Sequence, residues 1–287
     1  MASKTKQRGS AWSIKLVFNL YKLLGYKFIY YLMYPVSFFY FIFASNVKES
    51  LKIYYQKQNI KFTNKIYFEH LRIFAICLVD RFIAKMDPQS YTFKYTDIEK
   101  QKELLQKGAI ILYSHFGGWA ASSSVPMVNS KINIVMQEVI LDGIKEIENE
   151  IKNKTNINII DLNSGTLGVS IQIANALMND EIVVMMADRA ANKKGQLFSK
   201  FFSSDAAFNK NPFQIAYKMD KPLLVYFIVL DGIQSYKVVH IYINIDKSLN
   251  ENDAIRKALN EYILEYEKVI HNYPNQWFNF YNFWEKK

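Results

Sequence analysis

The stretch GAIILYSHFGGW, residues 108–119, has the pattern of a buried strand that ends in a histidine and two glycines. The run from Ala109 to Tyr113 is apolar throughout, as expected for a strand covered on both faces of a parallel sheet. Small residues follow Trp119, so a helix can begin there. In α/β proteins, chemistry usually lies where strands hand over to helices. His115 is therefore the first functional candidate, because an imidazole at such an edge can act as a general base near neutral pH.

Apolar strands and amphipathic helices alternate along most of the chain. The predicted strands are 108–114, 132–137, 157–162, 181–187, 222–230 and 236–245, and the predicted helices are 64–86, 115–128, 140–154, 166–179, 211–219 and 251–272. This order predicts an α/β fold with a mainly parallel central sheet and helices on both faces. The short connection 231–235 predicts that the last two strands form an antiparallel hairpin at one edge. We expect residues 46–287 to form one α/β domain behind an N-terminal segment, residues 1–45.

The N-terminal segment has the composition of a membrane-associated helix. Residues 1–27 carry six basic residues and no acidic one, and an apolar run, 28–44, follows with Pro35 inside it. Seventeen residues are at the lower limit for a spanning helix, and Pro35 predicts a kink or a break. Three alternatives stay open: a short signal anchor, an interfacial helical hairpin on anionic headgroups, and an ordinary buried helix pair. Each of the two membrane alternatives predicts that the protein lies on the cytoplasmic face of a bacterial inner membrane.

Composition narrows the class of partner. A net charge of +10 favours anionic partners, namely nucleic acid, an anionic membrane surface or an acidic carrier protein. No nucleic-acid-binding motif is present in the sequence, so we predict no nucleic-acid partner. The single cysteine, Cys77, excludes an internal disulfide framework and a multi-cysteine metal site, and the four histidines lack metal-site spacing. We predict no metal and no bound cofactor, and we expect His70 to be an ordinary surface or capping histidine.

Two further motifs lie downstream of His115. Asp188 and Arg189 follow the predicted strand 181–187, where such a pair can bind a phosphate or carboxylate headgroup or form a structural ion pair. The stretch YPNQWFNFYNFW, residues 273–284, predicts an aromatic clamp that packs the end of the chain onto the core.

In their order and spacing these motifs resemble those of the bacterial lipid A biosynthesis acyltransferases, from the N-terminal segment to residue 284. The segment at His115 resembles that family's His-x4-Glu/Asp motif, and Asp188-Arg189 resembles its Asp-Arg or Asp-Gln pair. The resemblance implies a glycerolipid-acyltransferase-like fold. It also implies transfer of a fatty acyl chain, from acyl carrier protein or acyl-CoA as co-substrate, to a hydroxyl or amine of a membrane lipid or glycolipid. A lipid A-like acceptor is favoured.

The resemblance also implies roles for single residues. His115 would be the general base, and the backbone amides of Gly117 and Gly118 would help to hold the oxyanion. Asp188 and Arg189 would position the acceptor headgroup. Further candidates for the substrate site are Trp119 and Glu138.

Ala120 stands where the family motif carries its carboxylate, five positions after the histidine. In a His–carboxylate dyad the carboxylate fixes the tautomer and stabilises the imidazolium, and alanine does neither. Three explanations stay open. Another carboxylate, Glu138 or Asp188, reaches His115; the chain binds lipid without catalysing; or the alanine is an engineered substitution that traps substrate.

Overall fold

The computed structural model describes residues 11–122, 129–137, 156–190 and 192–285. The predicted helix 140–154, Glu138 and the part of helix 115–128 beyond residue 122 lie outside these residues. The described helices are α1 (Ala11–Phe43), α2 (Ser45–Lys57), α3 (Asn64–Met86), α4 (Ile98–Gln106), α5 (Trp119–Ser122), α6 (Gly165–Met178), α7 (Asn211–Met219) and α8 (Glu251–Asn272). The described strands are β1 (Thr92–Lys94), β2 (Ala109–Tyr113), β3 (Ile132–Met136), β4 (Ile157–Asp161), β5 (Ile182–Met186), β6 (Gln196–Phe201), β7 (Ser204–Asn209), β8 (Leu223–Gly232) and β9 (Ser235–Ile243).

Seven of the described strands form the central sheet, in the order β1-β9-β8-β2-β5-β3-β4. All pairs are parallel except β8–β9, which confirms the predicted α/β class with a mainly parallel sheet. Strand β2 lies in the middle, and all five of its residues are buried. Its side chains alternate between two hydrophobic clusters, one on each face, with Ile110 and Leu112 in one and Ile111 and Tyr113 in the other. Covering both faces requires an uninterrupted apolar strand, which is the pattern seen in the sequence.

Two strand pairings differ from the sequence prediction. The β8–β9 hairpin is antiparallel as predicted, but it is not the edge, because β1 pairs in parallel with β9 outside it. A second antiparallel hairpin, β6–β7, lies apart from the main sheet and was not predicted. Strand β1 has only three residues, too few to show an alternating pattern.

Helix α1 buries one face against α3 and leaves the opposite face exposed. On the buried face Ile29 and Met33 are 0% and 4% exposed, whereas Leu23, Tyr31 and Phe39 on the outer face are 79%, 65% and 57% exposed. Several large exposed aromatic and aliphatic side chains on one helix are unusual on a soluble domain and are typical of a surface that meets a partner or a lipid interface.

The break in this helix occurs at Gly25 and not at Pro35. Gly25 has φ 75° and ψ 176°, outside helical geometry, whereas Pro35 lies within the helix. Glycine adopts a positive φ without steric cost, so the chain bends there. No single described helix is long and apolar enough to cross a membrane; residues 16–43 and α2 meet that criterion by length and composition only as a pair bent by 91°.

Candidate active site

The turn after β2 is fixed by the C-terminal segment. The N–H of Gly117 donates to the carbonyl oxygen of Gln276 at 2.8 Å. The N–H of Phe278 donates to the carbonyl oxygen of His115 at 2.7 Å. Trp277 between them is fully buried, which supports the predicted aromatic clamp. The segment therefore does more than close the core, because it sets the backbone geometry around His115.

His115 and Asp188 form a pair at the carboxyl ends of adjacent strands. Tyr113 of β2 lies opposite Met186 of β5, so the residues two positions later come side by side. Nδ1 of His115 lies 3.0 Å from each carboxylate oxygen of Asp188, and the His115 backbone N–H donates to Oδ2 at 3.0 Å. Because an ionised carboxylate only accepts, Nδ1 carries a proton, and in the neutral ring the lone pair is therefore on Nε2.

The surroundings of the pair suit a base and its orienting group. Asp188 is fully buried, whereas the imidazole of His115 is 29% exposed, and no described residue hydrogen-bonds its Nε2. Burial alone would raise the pKa of the Asp188 carboxyl, but the charge and hydrogen bonds of His115, together with the charge of Arg189, lower it to about 2. Asp188 is therefore ionised at neutral pH.

Asn279 completes the surroundings of the carboxylate. Its Nδ2 donates to Oδ2 of Asp188 at 3.3 Å, and its Oδ1 accepts from Nε of Arg189. Nη2 of Arg189 donates to the carbonyl of Phe278 at 3.2 Å, and the guanidinium lies 5.1 Å from the ring centroid of Tyr281. Asn279 was missed in the sequence; its one signal is a polar residue within a run of aromatic residues.

Two predicted roles do not fit this geometry. Asp188 cannot contact a headgroup, because its side chain is fully buried against His115. The amides of Gly117 and Gly118 are not free to hold an oxyanion, because they donate to the carbonyls of Gln276 and Ile228, each at 2.8 Å. The glycines are needed for close approach instead, since a Cβ on Gly117 would lie 1.9 Å from the carbonyl oxygen of Ile228.

The remaining predicted site residues are placed as follows. Trp119 lies at the site, with its ring centroid 6.3 Å from that of His115. Ala120 lies in α5, directly after the turn. Arg189 is half-buried next to the His115–Asp188 pair. Of the two alternative carboxylates, Asp188 meets His115, and Glu138 lies outside the described residues.

His70 is a buried core residue, contrary to the prediction of a surface or capping histidine. Its Nε2 lies 2.8 Å from the carbonyl oxygen of Trp277, and its Nδ1 lies 2.9 Å from the hydroxyl of Tyr55. Burial lowers the pKa of His70 to about 3, against the opposing effect of the Trp277 carbonyl. The ring is therefore neutral at pH 7, with Nε2 donating and Nδ1 accepting.

A comparison with known families supports the family resemblance seen in the sequence. A family model described as bacterial lipid A biosynthesis acyltransferase matches residues 6–286. A search of curated proteins finds no match to the chain. The family implies acyltransferase activity in general, and its members are generally membrane-associated. Since the match covers nearly the whole sequence, the chain belongs to the bacterial lipid A biosynthesis acyltransferase family.

Proposed function

We propose that this chain is a membrane-associated acyltransferase on the cytoplasmic face of a bacterial inner membrane. It moves a fatty acyl chain from acyl carrier protein, or from acyl-CoA, to a hydroxyl or amine of a membrane lipid or glycolipid, with a lipid A-like acceptor favoured. The observation that carries this proposal is the His115–Asp188 pair. In a member of a family of acyltransferases, this pair supplies the His–carboxylate dyad that the sequence motif lacks because position 120 is alanine.

In the proposed reaction Nε2 of His115 takes the proton from the acceptor hydroxyl or amine while that oxygen or nitrogen attacks the thioester carbonyl. The new bond to the carbonyl carbon forms, the carbon–sulfur bond breaks, and the imidazolium returns its proton to the leaving thiolate. Asp188, ionised and fixed by two donors, stabilises the imidazolium.

Arg189 and Trp119 are the residues that we propose for the acceptor site. Arg189 carries a positive charge beside the dyad, and Asn279 and Phe278 fix its guanidinium through Nε and Nη2. A guanidinium held in this way suits a phosphate or carboxylate of a headgroup. Trp119 flanks the imidazole and would contact apolar parts of the substrate.

The exposed face of α1 supports contact with a lipid surface. The apolar side chains of Leu23, Tyr31 and Phe39 on α1 are exposed, and the net charge of +10 favours anionic headgroups and an acidic carrier protein. An acceptor embedded in the lipid surface would then meet the protein on the side of α1.

The test is transfer of a labelled acyl group from acyl carrier protein, and separately from coenzyme A, into native membrane lipids. We expect the chain to transfer acyl groups and His115→Ala to lose this activity. His271→Ala, which changes an exposed histidine of α8, is the matched control and should keep it.

Three outcomes would contradict the proposal. Lipid binding without transfer would show a non-catalytic family member. Transfer only by Ala120→Glu would show that this chain is a disabled form of the enzyme. Undiminished transfer by His115→Ala would exclude His115 as the base.

A further inference from the structure

A second buried carboxylate binds a tyrosine that packs against the turn after β2, residues 114–118 (the catalytic turn). Asp80 of α3 is fully buried, and three tyrosine hydroxyls donate to it: Tyr26 at 2.6 Å, Tyr91 at 2.8 Å, and Tyr236. Burial raises the pKa of Asp80 to about 6, although all three hydrogen bonds oppose this effect. A buried carboxylate is costly, so three donors on one acceptor indicate a group that fixes the elements around it.

Tyr236 connects this cluster to the catalytic turn. A Cβ on Gly118 would lie 2.1 Å from Cε1 of Tyr236, so the tyrosine ring lies directly against the Gly118 backbone. The ring is fully buried and stacks on Phe93, with centroids 5.4 Å apart and planes 13° apart. Its hydroxyl bond to Asp80 holds the far end of the ring.

Tyr26 connects the same carboxylate to α1. It lies on the buried face of that helix, whose other face is apolar and exposed. The path from α1 to the turn therefore has two hydrogen bonds and one ring contact, through Tyr26, Asp80 and Tyr236 to Gly118.

We propose that Asp80 and Tyr236 are positioning residues for His115, and that Tyr26 ties the N-terminal helix to them. This inference rests on the proposed role of His115 as the base. The C-terminal segment and Asp188 hold the turn through hydrogen bonds, and the Tyr236 ring packs against it at Gly118. Without the hydrogen bond from the Tyr236 hydroxyl to Asp80, the Tyr236 ring can shift. The Gly118 backbone would shift with it, because no Cβ separates the ring from this backbone.

The test compares Tyr236→Phe and Tyr26→Phe with Tyr67→Phe. Each change deletes one buried hydroxyl and keeps the ring. Tyr67 is the matched control, because it is fully buried on the same helix as Asp80 and donates to the carbonyl of Ala44 at 3.0 Å, away from the turn. We expect Tyr236→Phe to lower kcat between about 10-fold and 100-fold, with KM changed less than about twofold, as for a small misplacement of a catalytic group. Tyr26→Phe should act in the same direction, and Tyr67→Phe should leave kcat unchanged.

A second measurement needs no substrate and separates positioning from general stability. The ring nitrogens of ¹⁵N-labelled His115 report its hydrogen bond to Asp188. Their chemical shifts should move in Tyr236→Phe and stay in Tyr67→Phe, even where the two variants unfold at similar temperatures. Unchanged His115 shifts in Tyr236→Phe would overturn the inference, as would an unchanged kcat.

The same data distinguish failure of this inference from failure of the proposed function. If the unmodified chain transfers no acyl group, the function fails, and the His115 shifts alone decide whether Tyr236 positions the ring. If the chain is active and His115→Ala is not, an unaffected Tyr236→Phe refutes only the positioning role.

Discussion

Replacing Asp188 by asparagine removes one negative charge and keeps the size of the side chain. Two donors, the backbone N–H of His115 and Nδ2 of Asn279, converge on Oδ2 of Asp188. They hold the amide oxygen of the asparagine at that position and place its NH2 group at the other, against Nδ1 of His115. Nδ1 must then accept, so the proton moves to Nε2 and the ring loses the lone pair that would take the acceptor's proton.

The size of the effect follows from this change of tautomer. In a catalytic triad the same substitution lowers kcat by about 10⁴. For Asp188→Asn we expect a loss of about 10³- to 10⁴-fold, or roughly 4 to 5.5 kcal/mol of transition-state stabilisation at about 1.36 kcal/mol per tenfold. KM should change little, because the Asp188 side chain is fully buried and does not reach substrate.

The assay is initial-rate acyl transfer into membrane lipids, with thermal unfolding measured in parallel. Asp205→Asn on the exposed β6–β7 hairpin is the control, because its side chain is 46% exposed and pairs with Lys200 at the surface. Ala120→Glu should raise kcat less than a few-fold, since His115 already has a partner. A folded Asp188→Asn variant that keeps more than a tenth of the activity would refute the reasoning, and so would a large gain from Ala120→Glu.

Three further predictions concern the surroundings of the site. Gly118→Ala should lower the free energy of unfolding by about 1–3 kcal/mol, because the new Cβ would overlap the fixed ring of Tyr236; an unchanged urea midpoint would contradict this. His70→Gln removes a group whose pKa falls from 6.5 to about 3 on folding. The unmodified chain should therefore lose stability relative to this variant as pH falls below 6.5, by about 2 kcal/mol at pH 5. Parallel pH profiles of urea unfolding for the two proteins would exclude this prediction. Phe39→Ser should weaken binding to anionic vesicles about 5- to 10-fold, because a ring that is 57% exposed is lost from the outer face of α1, whereas Leu264→Ser on α8 should not; equal sedimentation with vesicles would count against the membrane face.

The sequence pattern predicts most of the scaffold because its elements are long and regular. The predicted bounds of α3, α7 and α8 agree with the structure, and each buried strand of the sheet is a compact apolar run. The three-residue β1 is too short to be recognised, and β6 and β7 are partly exposed and carry no continuous apolar run. A periodic pattern of apolar residues reports burial. It therefore predicts the helices and strands that bury a continuous face against the core.

The partner of His115 depends on strand order, which local patterns do not carry. Glu138 follows the next strand along the chain, β3, and Asp188 follows β5, so both were reasonable candidates. In the sheet β5 lies between β2 and β3, and this adjacency places Asp188 beside the histidine. The hydrogen bond from the Gly117 N–H to Gln276 was equally unpredictable, because a sequence shows which residue is glycine but not what its N–H contacts.

The bonds from Gln276 and Phe278 to the turn also order events during synthesis. The ribosome makes these residues long after His115, so the nascent chain cannot hold the turn in its final form while translation continues. Helix α1 emerges early and can reach a membrane during that time. In the proposed enzyme, contact of α1 with a membrane can therefore begin before the turn around His115 is fixed.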